Sequence, residues 1–403
     1  MIVRFNVKCL TCDTAHTLRM QMGHNRTQTH EVICSNCQEV FRVALDIDFD
    51  KTTYKARCID NCEHSALEGK VVNIDPSSPI PKSSLHQDHY FPWLEHARKD
   101  LKIDKLISGI KSNTKGRGGI IDLNHALGGQ HLIVDDWQVI QRGWSLTLRG
   151  KEDLARKQFV MYSNLSEDDT PDFNHVIFKF SLNLAHPQYV ELFNKAAEFY
   201  SSLKKDKPDE VNKFLSYYKK NIRSKNLESY LDIYNQFFQC FSDYFQTLLY
   251  VKNGATVPYE SEVSSRAFRR TKMFYGNAFE TLTSCFVTLA CLNNVFSGRS
   301  YDQFETMHLT KYLTINKANR SNPFSNNTNL SAFSKCLDST LRNASHHGAI
   351  KYAPESSIVS YRSGGTGSEH TMSYAEYITK CNEIMLTIAA LLAFEILIDY
   401  STT

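Results

Sequence analysis

Two pairs of cysteines near the start of the chain constrain its folding more than any other feature. Cys9 and Cys12 form one CxxC pair, Cys34 and Cys37 form a second, and 21 residues separate the pairs. A CxxC turn directs two thiolates toward one point about 2.3 Å from a metal ion, and two such turns complete a tetrahedral shell. A bound metal also supplies folding free energy that so small a core lacks. The spacing therefore predicts a zinc site, and its filled shell predicts a structural role.

The segment around these cysteines is predicted to form a small β module. Stretches such as Glu39 to Leu45 show the alternating pattern of a half-buried strand. The two CxxC pairs resemble a zinc ribbon, to which we assign residues 1–66. Because four cysteines already fill the metal shell, the histidines at positions 16, 24 and 30 are expected on surface loops.

Cys58, Cys62 and His64 follow closely and leave two interpretations open. They begin a second zinc site, which His86 or His89 would have to complete, or they are a pair of thiols in a short buried segment. We favour the pair of thiols, because the fourth ligand is not evident from the spacing.

Composition indicates a packed, soluble protein of two or three domains. The chain has 403 residues, of which 42% are hydrophobic and 22% charged, and its formal charge of +3 is too small to imply nucleic-acid binding by itself. The N-terminus lacks the apolar run of a signal peptide. The longest apolar stretch, Ile384 to Phe394, is followed at once by Glu395, whereas a membrane span needs about 20 apolar residues. We therefore expect a cytoplasmic protein without a membrane partner.

The organisation along the chain predicts a multidomain, mainly α protein. Asp75 to Leu85 is rich in Pro and Ser and reads as a linker. Residues 67–186 are assigned to this linker and a mixed α/β middle region, with a strand-like piece from His175 to Phe180. Residues 187–403 are assigned to a helical domain.

Four amphipathic helices are predicted in the C-terminal half, which favours a four-helix bundle. The first three are indicated by apolar spacing over Leu227 to Leu248, Tyr275 to Leu289 and Leu330 to Ala344. The last begins after Ser373, where Glu376 completes a capping-box pattern. A hairpin or loop containing Ile358 to Tyr361 is expected before it.

An Arg–His motif lies at the end of the third predicted helix, from Leu341 to Gly348. Gly348 suits the left-handed residue that ends a helix, and basic side chains in the last turn interact favourably with the helix dipole. From these residues alone, a basic helix end without chemistry is a sufficient explanation.

The run Arg342, Asn343 and His347 resembles the signature of the HEPN superfamily, an Arg and a polar residue with a His four to six residues after the Arg. The resemblance covers roughly residues 190–403. It implies a four-helix fold and a metal-independent endoribonuclease that acts as a homodimer. By resemblance His347 is the general acid and base, and Arg342 binds the phosphate and stabilises the transition state. Asn343 is a hydrogen-bonding residue that orients the site. His346 is kept in reserve, because it shares a helix face with Arg342.

A basic cluster near the second predicted helix is a candidate RNA-binding surface, formed by Arg266, Arg269, Arg270 and Lys272. The alternative is an ordinary charged helix surface whose neighbouring aromatic residues face the core. The predicted biological role is an effector or toxin of anti-phage defence, with the ribbon or middle region binding a trigger or partner. The rival hypothesis is an adaptor that binds nucleic acid or dimerises without catalysis.

Overall fold

The computed structural model describes residues 2–21, 26–48, 51–74, 80–81, 130–162, 171–257, 261–263, 268–346, 348–353, 356–363 and 367–401. The chain forms two compact units, each assembled from three segments. One comprises Met1–Ile133, Cys240–Lys272 and His347–Asn382, and the other Val134–Gln239, Met273–His346 and Glu383–Thr403. Residues on both sides of the predicted boundary at 187 thus belong to one unit. Most of the predicted linker lies outside the described residues.

Seven strands are described in the N-terminal β region, namely β1 (Ile2–Cys9), β2 (Ala15–Gln21), β3 (Thr27–Ile33), β4 (Val40–Asp48), β5 (Thr53–Asp60), β6 (Cys62–His64) and β7 (Lys70–Ile74). They form a four-stranded sheet in the order β6-β1-β2-β7 and a three-stranded sheet in the order β3-β4-β5. One apolar core joins inward-facing residues of both sheets, among them Val7, Leu18, Phe41 and Val43. Burial alternates at the start of β4, as the sequence pattern from Glu39 to Leu45 predicted for a half-buried strand.

The remainder of the described chain is mainly helical. The helices are α1 (Gln130–Leu148), α2 (Glu152–Phe159), α3 (Phe173–Ala185), α4 (Val190–Asp206), α5 (Pro208–Asn221), α6 (Arg223–Gln239), α7 (Phe241–Asn253), α8 (Phe268–Phe296), α9 (Leu309–Tyr312), α10 (Ser339–His346) and α11 (Tyr374–Tyr400). Short strands β8 (Ile80–Pro81) and β9 (Ser261–Glu262) pair with each other. Strands β10 (Ile350–Ala353), β11 (Ile358–Arg362) and β12 (Glu369–Ser373) form an antiparallel sheet before the last helix.

The strand predicted from His175 to Phe180 is wrong, since these residues lie in α3. The Asp172 carboxylate accepts the backbone N–H of His175 at 2.7 Å and so caps the start of that helix. Phe180 then packs against Tyr234 of α6, with ring centroids 6.1 Å apart. A helix cap and tertiary packing outweigh the strand preference of an aromatic-rich segment.

Two of the predicted helices are interrupted. The pattern from Leu227 to Leu248 runs through α6 and α7, which separate at Cys240 because its backbone (φ −120°, ψ 23°) leaves the helical region. The pattern from Leu330 to Ala344 contains a 3-10 turn (Ser331–Ser334) and α10. Between these two, the Tyr275 hydroxyl donates to the Cys336 carbonyl (2.7 Å) and accepts the Asp338 N–H (2.8 Å). The Cys336 carbonyl and the Asp338 N–H thus form tertiary hydrogen bonds at the point where the predicted helix is interrupted.

The last helix begins as predicted. The Ser373 hydroxyl accepts the backbone N–H of Glu376 at 3.1 Å, which is one half of the capping box. Both α11 and residues Arg270–Phe296 of α8 are long and apolar enough to cross a membrane by length and composition. Their apolar windows are 89% and 78% buried inside the protein, respectively, as in the core helices of a folded domain.

Candidate metal centre and candidate active site

The two CxxC turns have the same backbone geometry. In the first, the N–H of Asp13 donates to the Cys9 carbonyl at 2.9 Å, and in the second the N–H of Gln38 donates to the Cys34 carbonyl at 3.1 Å. Asp13 and Gln38 both have positive φ, 59° and 63°, which closes each turn tightly. Each turn joins two consecutive antiparallel strands, β1 to β2 and β3 to β4. The apolar core shared by the two sheets includes Cys9 and Cys34, one cysteine from each turn.

The four thiols converge on one point. The ligand atoms of Cys9, Cys12, Cys34 and Cys37 all lie within 4.8 Å of one another, with Sγ–Sγ distances of 3.8 Å for Cys9–Cys37 and 3.5 Å for Cys12–Cys34. Hydrogen bonding with Thr14 lowers the pKa of Cys12 to about 6, whereas burial raises the pKa of Cys34 to about 12. A bound cation would remove this imbalance by stabilising all four thiolates. The arrangement is a candidate metal site.

His16 links the two turns and is a correction to the expectation of a surface histidine. Its ring is fully buried, and Nε2 accepts the Ser35 N–H at 3.1 Å while Nδ1 donates to the Thr14 carbonyl at 3.2 Å. Burial lowers the pKa of His16, which favours the neutral ring that this pair of bonds requires. His30 is also fully buried, whereas His24 lies outside the described residues.

Cys58, Cys62 and His64 do not group as a second metal site. Among the described residues, the only group of three or more metal-binding side chains is the four-cysteine cluster. The Cys62 thiol donates to the Arg42 carbonyl at 3.3 Å, and burial raises its pKa to about 12. His64 packs edge-on against Phe5 with ring centroids 4.7 Å apart. His86 and His89 lie outside the described residues.

Arg342 of α10 is held by an ion pair with Glu280 of α8. Its Nε donates to Glu280 Oε1 at 2.6 Å, its Nη2 donates to the same oxygen, and its Nη1 donates to Asn343 Oδ1 at 2.8 Å. Its guanidinium carbon lies 5.9 Å from the ring centroid of Phe279. The Arg342 side chain is 27% exposed, and each of its three nitrogens donates to Glu280 or Asn343.

His346 faces α8 one helical turn away from Arg342. A Cβ placed on Gly276 would lie 3.1 Å from His346 Nε2 and 3.0 Å from the Ser345 side chain, so Gly276 allows α10 to approach closely. Gly276 and Glu280 are four residues apart, as are Arg342 and His346, so the two pairs share facing sides of the two helices. Gly348 has the expected left-handed conformation (φ 66°) just beyond α10. His347 lies outside the described residues.

The predicted RNA-binding cluster is described only in part. Arg270 is exposed and Lys272 is half-buried in the first turns of α8. Arg266 and the side chain of Arg269 lie outside the described residues. The neighbouring Phe268 and Phe274 are 9% and 1% exposed, which agrees with the alternative that the aromatic residues face the core.

Sequence reasoning missed two residues beside the motif, Glu280 and Lys317. The Lys317 ammonium donates to the hydroxyl of Ser284, one turn beyond Glu280 on α8. Arg342 and Glu280 are 62 positions apart in the chain, and no spacing rule connects them. A polar residue on the apolar α8 was the one available signal for Glu280.

Comparisons with protein-family models, with curated proteins and with solved structures found no match for this chain. A functional assignment therefore depends on the residues and contacts of the chain itself.

Proposed function

We propose that this chain is a metal-independent endoribonuclease of the HEPN type, with the family's four-helix fold in its C-terminal half. One observation carries the proposal: Arg342 and His346 lie along one face of α10, and the Arg342 side chain is bound by Glu280 and 27% exposed. His347 follows directly in sequence. Phosphodiester cleavage needs a fixed cation and a group that gives and takes protons, and arginine and histidine are the residue types that supply them.

The reaction is a transesterification within RNA. The 2′-oxygen of one ribose attacks the adjacent phosphorus, and its proton passes to a base. The bond from phosphorus to the 5′-oxygen of the next ribose breaks, and that oxygen takes a proton from an acid. The products are a 2′,3′-cyclic phosphate and a 5′-hydroxyl, so the step is balanced without an external reactant. Histidine is suited to both transfers near neutral pH.

Each motif residue has a proposed role in this step. Arg342 binds the non-bridging phosphate oxygens and stabilises the charge that develops on them, because its guanidinium is planar and permanently charged. Asn343 orients the guanidinium, to which its side chain is hydrogen-bonded. His347 is the proposed general acid and base, by the family's spacing. His346 is the second candidate, supported by its position on the Arg342 face.

The four-cysteine cluster is proposed to hold one Zn²⁺ in a zinc ribbon. Four sulfur donors in a compact group match the tetrahedral coordination that zinc prefers, and they leave no position for substrate. The ion would therefore have a structural role, as anchor of the turns between β1 and β2 and between β3 and β4.

The proposed setting is a cytoplasmic effector or toxin of anti-phage defence that acts as a homodimer. The ribbon or the middle region would bind a trigger or partner, and RNA would be the substrate. Residues Arg270 and Lys272 remain candidates for RNA contact, together with Arg266 and Arg269.

The test compares wild-type protein with Arg342→Ala, His347→Ala and His346→Ala on RNA, with EDTA added during the assay. We expect the wild type to cleave in EDTA, the first two variants to lose activity, and the products to end in 2′,3′-cyclic phosphate. If His346→Ala loses activity and His347→Ala retains it, His346 is the general acid and base. Equal RNA decay by all four proteins, or none by the wild type, would overturn the nuclease assignment.

The second candidate is a non-catalytic adaptor that binds RNA or dimerises. The observation that favours it is the ion pair itself, because Glu280 neutralises the charge of Arg342. RNA binding by the wild type without cleavage, with growth unaffected by expression, would select this alternative.

A further inference from the structure

A lysine from the long connection between α8 and α10 reaches back to the candidate active site. Lys317 begins a 3-10 turn (Lys317–Asn319), where the Asn316 side chain accepts the Ala318 N–H at 3.1 Å. The Lys317 ammonium donates to Ser284 Oγ, and Ser284 Oγ donates to the Glu280 carbonyl at 2.6 Å. Lys317 therefore contacts the same face of α8 that binds Arg342, one turn farther along.

The contacts of Lys317 with the described residues do not balance its charge. The side chain is half-buried, and its hydrogen-bond partner is a neutral hydroxyl rather than a carboxylate. Removing an ammonium from water is costly unless an anion or several acceptors replace the lost hydration. The carboxylate of Glu280, which acts on Lys317, already binds Arg342 through two nitrogens.

The surrounding charges are mainly positive. Burial lowers the pKa of Lys317, and the charges of Arg320 and Arg342 lower it further, while Glu280 opposes them. Arg320 is itself buried, with Nη2 donating to the Leu313 carbonyl at 2.5 Å. Lys317, Arg320 and Arg342 thus bring three cations near the carboxylate of Glu280, and the Arg342 side chain is partly exposed. An anion arriving here would lower the electrostatic free energy.

We propose that Lys317 is a phosphate-binding residue of the Arg342 site, and that an RNA phosphate oxygen replaces Ser284 as the partner of its ammonium. This inference rests on the proposed function, since it assumes that RNA is the substrate. It identifies the ligand of the site as at least two charged oxygens of single-stranded RNA, bound by a guanidinium and an ammonium. Lys317 contributes to binding, whereas Arg342 also acts in the transition state.

The test measures affinity for a fully 2′-O-methylated single-stranded RNA, which lacks the attacking hydroxyl, across a range of salt concentrations. Lys317→Gln should weaken binding about 3- to 10-fold near 0.1 M salt and reduce the slope of log K against log salt by about 0.7, the value for one lost phosphate contact. The matched control is Lys311→Gln, an exposed lysine of the same connection, which should retain the wild-type slope. Lys317→Arg should retain it as well.

Ser284→Ala separates a binding role from a structural one. Removing the hydroxyl leaves the ammonium in place, so RNA affinity and slope should stay at wild-type values. If Lys317→Gln keeps the wild-type slope while the wild type cleaves RNA and Arg342→Ala does not, Lys317 is not a phosphate contact and the nuclease assignment stands. If the wild type neither binds nor cleaves RNA, the proposed function fails, and this inference with it.

Discussion

At the scale of single residues, the pair of Arg342 and Glu280 has two opposite effects on a phosphate ligand. The carboxylate fixes the guanidinium through two nitrogens, which reduces the entropy that binding would otherwise lose. It also cancels the positive charge that attracts an anion. Both side chains are over a quarter exposed, so solvent screens the pair and its contribution to folding stability is about 1 kcal/mol or less.

Glu280→Gln is predicted to bind RNA more tightly than the wild type. Glutamine keeps a side-chain oxygen for Arg342 but removes the negative charge, so the site gains one net positive charge. We expect affinity for 2′-O-methylated RNA to rise by about 2- to 5-fold at low salt and to become more salt-dependent. Glu305→Gln, at an exposed glutamate outside the site, is the control. Unchanged or weaker binding would show that orientation of Arg342 matters more than its charge.

Glu395 is a second residue whose charge is poorly accommodated. It is 2% exposed, and its carboxylate accepts hydrogen bonds from Asn226 Nδ2 at 2.8 Å, Thr288 Oγ1 at 2.6 Å and the Tyr218 hydroxyl at 3.3 Å. Burial nevertheless raises the pKa of Glu395 from its ordinary value of 4.5 to about 7. Between pH 4.5 and about pH 7, the Glu395 carboxyl is therefore protonated in the folded protein and ionised in the unfolded chain.

Stability should consequently fall as the pH rises from about 4.5 to about 7, because the folded state binds more protons than the unfolded state in that window. The loss at pH 8 is on the order of 3 kcal/mol, from about 1.4 kcal/mol per pKa unit. Glu395→Gln should remove this pH dependence. The free energy of unfolding of the variant, relative to that of the wild type, should therefore increase from pH 5 to pH 8. Urea unfolding at several pH values measures this. Parallel curves for the two proteins would contradict it.

At the scale of elements, the position of the motif depends on how α10 begins. The Asp338 carboxylate accepts the Leu341 N–H at 3.0 Å, which caps the helix, and the Tyr275 hydroxyl accepts the N–H of Asp338 itself at 2.8 Å. A helix of eight residues is too short to be stable without such anchoring. The cap therefore fixes Arg342 as well as the helix.

Asp338→Ala is predicted to destabilise the protein by about 1 kcal/mol and to reduce RNA cleavage at least about tenfold, because fraying of α10 displaces Arg342. Asp338→Asn keeps a capping oxygen and should preserve both properties to within about 0.5 kcal/mol and twofold. Urea unfolding and single-turnover cleavage report the two effects. A stability loss in Asp338→Ala with full cleavage would separate the cap from the site.

The features that sequence predicted are those encoded locally. The CxxC spacing, the cap at Ser373 and the left-handed Gly348 each depend on a few adjacent residues, and the structure contains all three arrangements. Periodicity alone did not reveal the break at Cys240, because the apolar stripe continues across it. The partners of the motif were out of reach for a different reason: Glu280 and Lys317 meet Arg342 only through tertiary folding.

The four-cysteine cluster gives a prediction about the N-terminal β region that surrounds it. Cys9→Ser removes one of the four sulfurs and should abolish binding of the single Zn²⁺ expected per chain, with loss of the strand signal in circular dichroism. Cys58→Ser is the matched control, because that thiol lies outside the four-cysteine group, and it should retain one zinc. Elemental analysis of the two purified variants measures the ratio. Equal zinc content in both would refute the assignment of ligands.

At the scale of the whole molecule, the remaining question is how many copies of the chain make one active site. Each chain carries a single Arg342 motif, and one arginine with one or two histidines has to supply phosphate binding, a base and an acid. A symmetric dimer would bring two such motifs into one cleft, as the resemblance to HEPN nucleases implies. A dimer would then be active only if both of its chains carried an intact motif.

Mixing intact and inactive chains distinguishes these cases. If both motifs of a dimer are needed, equal amounts of wild type and Arg342→Ala, unfolded and refolded together, should cleave RNA at about a quarter of the rate of the same total amount of wild type, because only a quarter of random pairs are intact. Independent sites would give about half. A mixture with Lys311→Gln, which keeps the motif, should retain the full rate. Since a monomer and a dimer with independent sites give the same result, the mass of the species in solution has to be measured alongside. A rate near one half from a dimeric protein would mean that each motif works alone, and that a single chain holds the complete chemistry.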